Sequence, residues 1–166
     1  MRIKRFVPRI VVMPQHLREY LHELAEAENE QYAILLAHEM DGHIFPSKIL
    51  RSANLVKKSC PISLTPNWKE ILTELANYPQ YDIAIDYHTH LNESIELSKY
   101  DVGYMRANRL LQMFRKTPQQ ELLYGVGNTH EMAFHQWYFG MPCELELVEQ
   151  VRQIVRQEQH IPRLQQ

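Results

Sequence analysis

The apolar positions along this chain change period several times, and each change marks an element. Ile3 to Met13 is β-rich (Phe6, Val7, Ile10, Val11, Val12) and ends at Pro14. Up to Glu28, Leu17, Tyr20, Leu21 and Leu24 recur at helical spacing. Pro14 suits that helix's first turn, and Glu23, Glu26 and Glu28 form its solvated face. Tyr32 to Ala37 is continuously apolar, the mark of a strand buried on both faces. Glu39-Met40-Asp41-Gly42 predicts a turn. His43 to Lys57 predicts a second strand, bent around Pro46. Thr65-Pro66 reads as an N-cap followed by a first helical residue. Trp68, Ile71, Leu72 and Leu75 give that helix one apolar face, and it stops before Pro79.

From Tyr81 to Tyr87 the period is two. Tyr81, Ile83, Ile85 and Tyr87 fall on one side, and Asp82, Ala84 and Asp86 on the other. Leu91 to Leu97 is a loop. Ser98 to Lys116 predicts a helix with Val102, Met105, Leu110, Met113 and Phe114 inward. Glu121 to Val126 and Met132 to Phe139 predict a hairpin around Gly127-Asn128. Glu144 to Gln159 predicts a final helix with Leu147, Val148, Val151, Ile154 and Val155 on one face, ended by Pro162. Strands and helices in alternation predict an α/β fold, a curved sheet sandwiched by helices, with Tyr32–Ala37 and Tyr81–Tyr87 central.

Composition narrows the class. The 166 residues suit a single domain over 1–166, and 45% hydrophobic with 23% charged residues is ordinary for a soluble globular chain. A formal charge of −2 implies no broad cationic surface, so nucleic acid is not expected as a partner. Cys60 and Cys143 are far apart and form no Cys-x-x-Cys, which predicts free thiols in a reducing compartment. There is no apolar N-terminal run of signal length, and no run nears the ~20 residues of a membrane span. A cytoplasmic protein without membrane contact is the expectation.

The candidate chemistry lies at His88-Thr89-His90, then seven residues, Ser98, two residues and Asp101. Two histidines at i and i+2 on an extended segment point to one side, roughly 6.5–7 Å apart at Cα. They continue the Asp82, Ala84, Asp86 side if the extended conformation persists. A carboxylate from the following element adds a third ligand. Two His and one carboxylate is a catalytic zinc set, because a fourth tetrahedral position stays open for water. Ser98-x-x-Asp101 also has the form of a helix capping box, and the two roles are compatible.

This pattern resembles the signature of the JAMM (MPN+) metalloproteases at every defined position. Glu30-Gln31-Tyr32-Ala33-Ile34-Leu35-Leu36-Ala37 is similar to the family's upstream Glu-x-x-Gly-Leu-Leu-x-Gly segment, with alanines in place of glycines, and Tyr87 matches a frequent residue before the first His. Leu91 departs from the usual Pro after the second His. The resemblance implies a single JAMM/MPN-like domain with the cytidine-deaminase-like curved mixed sheet. It implies Zn2+ held by His88, His90 and Asp101, with Glu30 as general base and Ser98 as oxyanion stabiliser. Zinc would polarise the scissile carbonyl and bring the pKa of water towards ~7. Glu30 would take the water's proton and pass it to the leaving amine. The implied substrate is a peptide or isopeptide bond after the C-terminal glycines of ubiquitin or a ubiquitin-like protein.

Position also favours Glu30 among the neighbouring acids. Glu23, Glu26 and Glu28 fall on a helix's polar face and Glu39 begins a turn, whereas Glu30 directly precedes the buried run from Tyr32. Glu30 can meet the histidines only if that strand lies beside the one ending at Tyr87, antiparallel or staggered. Two other readings stay open. One is a zinc peptidase or amidase with another substrate. The other is a non-catalytic MPN-type interaction module, or a relative of the RadC branch with nucleic-acid ties. Intact ligands argue against the module, while neutral charge and the missing Pro-Ser-Gly after the second His argue against RadC. His38, His43, His130 and His135 lack clustered spacing; the first two flank a turn, and His135 reads as a half-exposed strand residue. Trp137, Tyr138 and Phe139 read as core or interface. Asp86 shares the histidine face, where a solvated edge carboxylate is the commoner case and an imidazole-orienting carboxylate the other.

Overall fold

The computed structural model describes residues 8–60, 63–114 and 119–150, so the predicted elements at 3–7, 115–116 and 151–162 lie outside the described residues. The strands are β1 (Ile10–Pro14), β2 (Tyr32–Met40), β3 (His43–Leu50), β4 (Val56–Cys60), β5 (Ser63–Pro66), β6 (Ile83–Thr89), β7 (Glu121–Gly127), β8 (Met132–Tyr138), β9 (Met141–Glu144) and β10 (Glu146–Gln150). The helices are α1 (Gln15–Leu24), α2 (Trp68–Leu75) and α3 (Lys99–Phe114). Among the described residues one mixed sheet runs β10-β1-β3-β2-β6-β7-β8-β9, and β4 with β5 forms a separate antiparallel hairpin. The fold is α/β, as the alternation predicts.

The sheet curves until its ends nearly meet. β9 pairs with β8, Leu145 N–H donates to the Phe134 carbonyl of β8 at 2.8 Å, and the next residues pair in parallel with β1 at the opposite end. The period of two in β6 sorts its side chains into two cores. Ile83, Ile85 and Tyr87 pack with Leu17, Leu21 and Leu24 of α1. Ala84 faces the other core, with Ile34 and Leu36 of β2, Ile71 and Leu75 of α2 and Met105 of α3. β2 contributes to both, which is why its sequence is apolar without alternation. Met105 is buried and Val102 partly so; the side chains of Leu110, Met113 and Phe114 lie outside the described part.

Local chemistry sets the turns. Asp41 and Gly42 have φ of 51° and 78°, the left-handed pair of a two-residue hairpin between β2 and β3. At Pro46, which lacks an N–H, the β2–β3 register shifts between Leu36 and Ala37.

The final helix predicted from Glu144 does not form over the described residues: 146–150 is strand β10. Glu144-Leu145-Glu146-Leu147 also alternates with period two, and Leu145 and Leu147 pack on the first core. The unpaired backbone of β1 decides between the periods, because it supplies a partner ladder. Thr65-Pro66 likewise ends β5 rather than opening α2, whose N-cap is Asn67. α1 ends at Leu24, so Glu26 and Glu28 are exposed turn residues rather than a helix face. Phe139 is neither core nor partnered in a core: it is 88% exposed at the β8–β9 turn with φ 47°. Trp137 does pack on the second core.

Candidate metal centre

β6 carries the two histidines to its end because its ladders continue past the last strand residue. Thr89 N–H donates to the Gln31 carbonyl at 2.9 Å on the β2 side, and His90 N–H donates to the Gly127 carbonyl at 2.8 Å on the β7 side. The segment therefore stays extended through His90, and both imidazoles emerge on one face. Their Nε2 atoms lie 3.1 Å apart. Thr89 points the other way, is fully buried, and accepts the Gln31 N–H on Oγ1 at 2.8 Å. This threonine ties the histidine pair to the residue next to Glu30.

The antiparallel β2–β6 register sets Tyr32 opposite His88. The Gln31–Thr89 bonds continue it by one residue, and a further step puts Glu30 opposite His90. Glu30 lines the same cleft as both histidines and is partly buried. Burial pushes its carboxyl up, and the charges of His88 and His90 pull it part of the way back.

Asp101 comes from the first turn of α3. Ser98 N–H donates to Asp101 Oδ2 at 2.7 Å, and Asp101 N–H donates to Ser98 Oγ at 3.1 Å, a reciprocal cap. The carboxylate so capped lies over the histidines, with Oδ1 3.2 Å from His88 Nε2 and Oδ2 3.6 Å from His90 Nε2. Burial alone would raise the Asp101 pKa, but the bonds from His88, His90 and Ser98 hold it well below the usual carboxylate range. Asp101 in turn raises the His90 pKa, against burial and with help from the Ser94 carbonyl.

His90 Nδ1 lies 3.1 Å from the Ser94 carbonyl, which can only accept, so Nδ1 carries the proton and Nε2 of the neutral ring presents a lone pair. The loop that supplies Ser94 is held by Asn128, which is buried at 3% exposure. Its Nδ2 donates to the Glu93 carbonyl at 3.0 Å, and its Oδ1 accepts from His130 N–H and Glu131 N–H at 2.8 and 2.9 Å. Gly127 beside it has a packing reason: a Cβ there would strike the hydroxyl of the buried Tyr87.

The structure thus brings His88, His90 and Asp101 together, with one donor atom of each within 4.8 Å of the others, a set that could hold a metal ion. Ser98 and Glu30 line the same cleft of about 490 Å³, with Tyr100 and the β5 residues Leu64 and Pro66. His38, His43 and His130 are exposed and lie outside it. His135 is buried rather than half-exposed, and desolvation lowers its pKa.

Asp86 departs from the commoner expectation for an edge carboxylate. It is 3% exposed, and Oδ2 accepts from Tyr104 OH at 2.6 Å and Tyr32 OH at 3.0 Å. Burial is the largest influence on its carboxyl, which is pushed up to about 6 against the two tyrosine bonds and His88. Neither tyrosine is visible as a partner in the local pattern. Their signal is spacing alone: Tyr32 stands two residues from Glu30 on an extended segment, and Tyr104 three from Asp101 on a helix. Asn128 and Thr89 were equally hidden, one in a turn and one inside the motif.

No protein-family model matches this chain, and no characterised protein matches it in sequence. In fold it is similar to the solution structure of protein DSY2949 from Desulfitobacterium hafniense. The TM-score is 0.57 at 15% identity, over 85% of this chain and 92% of that one. Among the described residues no helix is long and apolar enough to cross a membrane.

Proposed function

We propose that this chain is a JAMM-type zinc hydrolase with an MPN-like fold, cleaving peptide or isopeptide bonds after the C-terminus of a ubiquitin-like modifier in the cytoplasm. The supporting observation is convergence. Strand β6 and helix α3 deliver two imidazole nitrogens and a carboxylate to one point, and Glu30 and Ser98 face the same cleft. Such a donor set suits zinc, since it fills three tetrahedral positions and leaves one open.

His88, His90 and Asp101 would hold the ion, which when bound supplies Lewis acidity and lowers the pKa of water at the open position. Glu30 takes the proton of the attacking water and returns it to the leaving amine. Its burial works in this direction, because a raised carboxyl pKa brings the base closer to the operating pH. Ser98 has the right valence for its part: Oγ accepts from Asp101 N–H, which leaves the hydroxyl as a donor that can turn towards a developing oxyanion. A second depression of about 570 Å³ shares Glu30, Tyr32 and Leu64 with the cleft and runs on to Arg51 and Lys57. This gives an extended C-terminal tail a path to the scissile position.

Two measurements on the purified chain test the proposal: metal analysis, and incubation with a ubiquitin-like domain fused through its terminal Gly-Gly. The expected result is one zinc per chain and release of the modifier at the Gly-Gly junction. Zinc with hydrolysis of unrelated peptides but an intact fusion would replace this substrate class with a general peptidase. Neither zinc nor cleavage would leave a non-catalytic module.

A further inference from the structure

We propose that Asp86 is a positioning residue that clamps the three segments of the metal centre into one geometry. The inference rests on the metal-centre reading above and concerns how this chain holds it. Asp86 Oδ2 receives two hydroxyl donors, Tyr104 of α3 at 2.6 Å and Tyr32 of β2 at 3.0 Å. Each of the three residues stands one step behind a site residue on the same face. Asp86 precedes His88 by two along β6, and Tyr32 follows Glu30 by two along the extended segment entering β2, so each pair shares a side. Tyr104 follows Asp101 by three on α3, so that pair shares a helix face.

A single oxygen atom therefore joins the carriers of both histidines, the carboxylate ligand and the base. The neighbouring contacts do not replace it. β2 and β6 are already paired by backbone, but α3 reaches the sheet through side chains, and nothing in the backbone ladder sets its height. The cap at Ser98 fixes Asp101 relative to its own helix, not relative to the histidines. The Tyr104–Asp86 bond makes that connection, one helical turn behind the ligand. Burying a carboxylate against two neutral hydroxyls is costly for stability, and apolar side chains at all three positions would avoid that cost. Keeping the carboxylate is intelligible if the return is a defined geometry.

The test uses Co2+ as the probe, on the full chain, reading its dissociation constant and the position and intensity of its visible d–d bands. The variants are Tyr104→Phe, Tyr32→Phe, the double variant, Asp86→Leu and Asp86→Asn, with Leu75→Ala as a control from the same buried cluster. Asp86→Leu is expected to weaken Co2+ about 10–100-fold and to shift the bands, in the range found when residues that orient metal ligands are removed. Asp86→Asn keeps an acceptor oxygen and should restore most of the affinity. Because both hydroxyls act through one atom, the double Phe variant should lose no more than Asp86→Leu. Leu75→Ala should lower the melting temperature with the bands unmoved. If Asp86→Leu does not fold, the two Phe variants decide. Unchanged Co2+ affinity and bands in both would overturn the clamp, as would a shift of equal size in Leu75→Ala. A wild-type chain that binds no Co2+ at His88, His90 and Asp101 defeats the metal reading itself, and the clamp with it.

Discussion

Tyr32 of β2 lies directly opposite His88 of β6, in antiparallel register. That pairing alone brings residue 30 level with residue 90, although sixty positions separate them in the chain. The register explains why an acidic residue at the mouth of β2 shares a cleft with the imidazoles, and it makes the roles assigned to the site separable by substitution.

Glu30→Gln should keep both fold and metal and lose about 10²–10⁴-fold in hydrolysis rate, the range for removing a general base. Glu28→Gln, two residues earlier and exposed, should change little. Zinc content, melting temperature and single-turnover rate of the two variants make the comparison. Near-normal hydrolysis by Glu30→Gln would move the base to another residue.

Ser98 has a capping role and a cleft-facing position at once, so its substitution should register twice. Ser98→Ala removes the acceptor of Asp101 N–H and should lower stability by about 1 kcal/mol. It should also reduce kcat per folded molecule by about 10²–10³ with the metal retained, as expected for loss of an oxyanion donor. A lowered melting point with unchanged kcat would leave Ser98 as a cap only.

In the proposed metal centre, proton and metal would compete for His90. Metal uptake needs the deprotonated imidazole, and Asp101 holds its proton on by raising its pKa. Metal affinity should fall by up to about tenfold per pH unit below that raised value and flatten above it. For the metal-free protein the sign is opposite. A raised folded pKa stabilises fully below the ordinary imidazole value of about 6.5, and the contribution disappears as pH rises through the folded value. Metal-free melting temperature should therefore decline as pH rises above about 6.5, while metal affinity rises. Parallel pH series of the two quantities check this, and affinity that is flat from pH 5 to 7 would contradict it.

Asn128→Ala should loosen the loop that orients His90. It removes the acceptor for His130 N–H and Glu131 N–H and the donor to Glu93, at a cost of about 1–3 kcal/mol for the groups left without partners. Asn128→Asp keeps the acceptor and loses only the donor, so it should fall between. Thermal melts, with limited proteolysis mapped to residues 91–97, would measure both; equal stability of the three proteins would remove Asn128 from the support of the site.

Much of the site was legible because its parts are local. His88 and His90 are two apart on a strand, and Ser98 and Asp101 are three apart at a helix start, so period and capping chemistry place each pair without reference to the rest of the chain. The same holds for the continuous apolar run of β2, the alternation of β6, and the Asp41-Gly42 and Gly127-Asn128 turns. What the tertiary structure decided is wherever two local answers were equally good, or where the partner is remote. Glu144-Leu145-Glu146-Leu147 satisfies a strand period as well as a helical one, and the open edge of β1 selected the strand. Asp86 looks like a solvated carboxylate until Tyr32 and Tyr104 arrive from 54 and 18 residues away. Glu30 acquires its place only through the β2–β6 register. Periodicity reports which face a side chain takes, but not which surface that face meets; that depends on which strands find each other, and hence on burial and hydrogen bonding summed over the whole sheet.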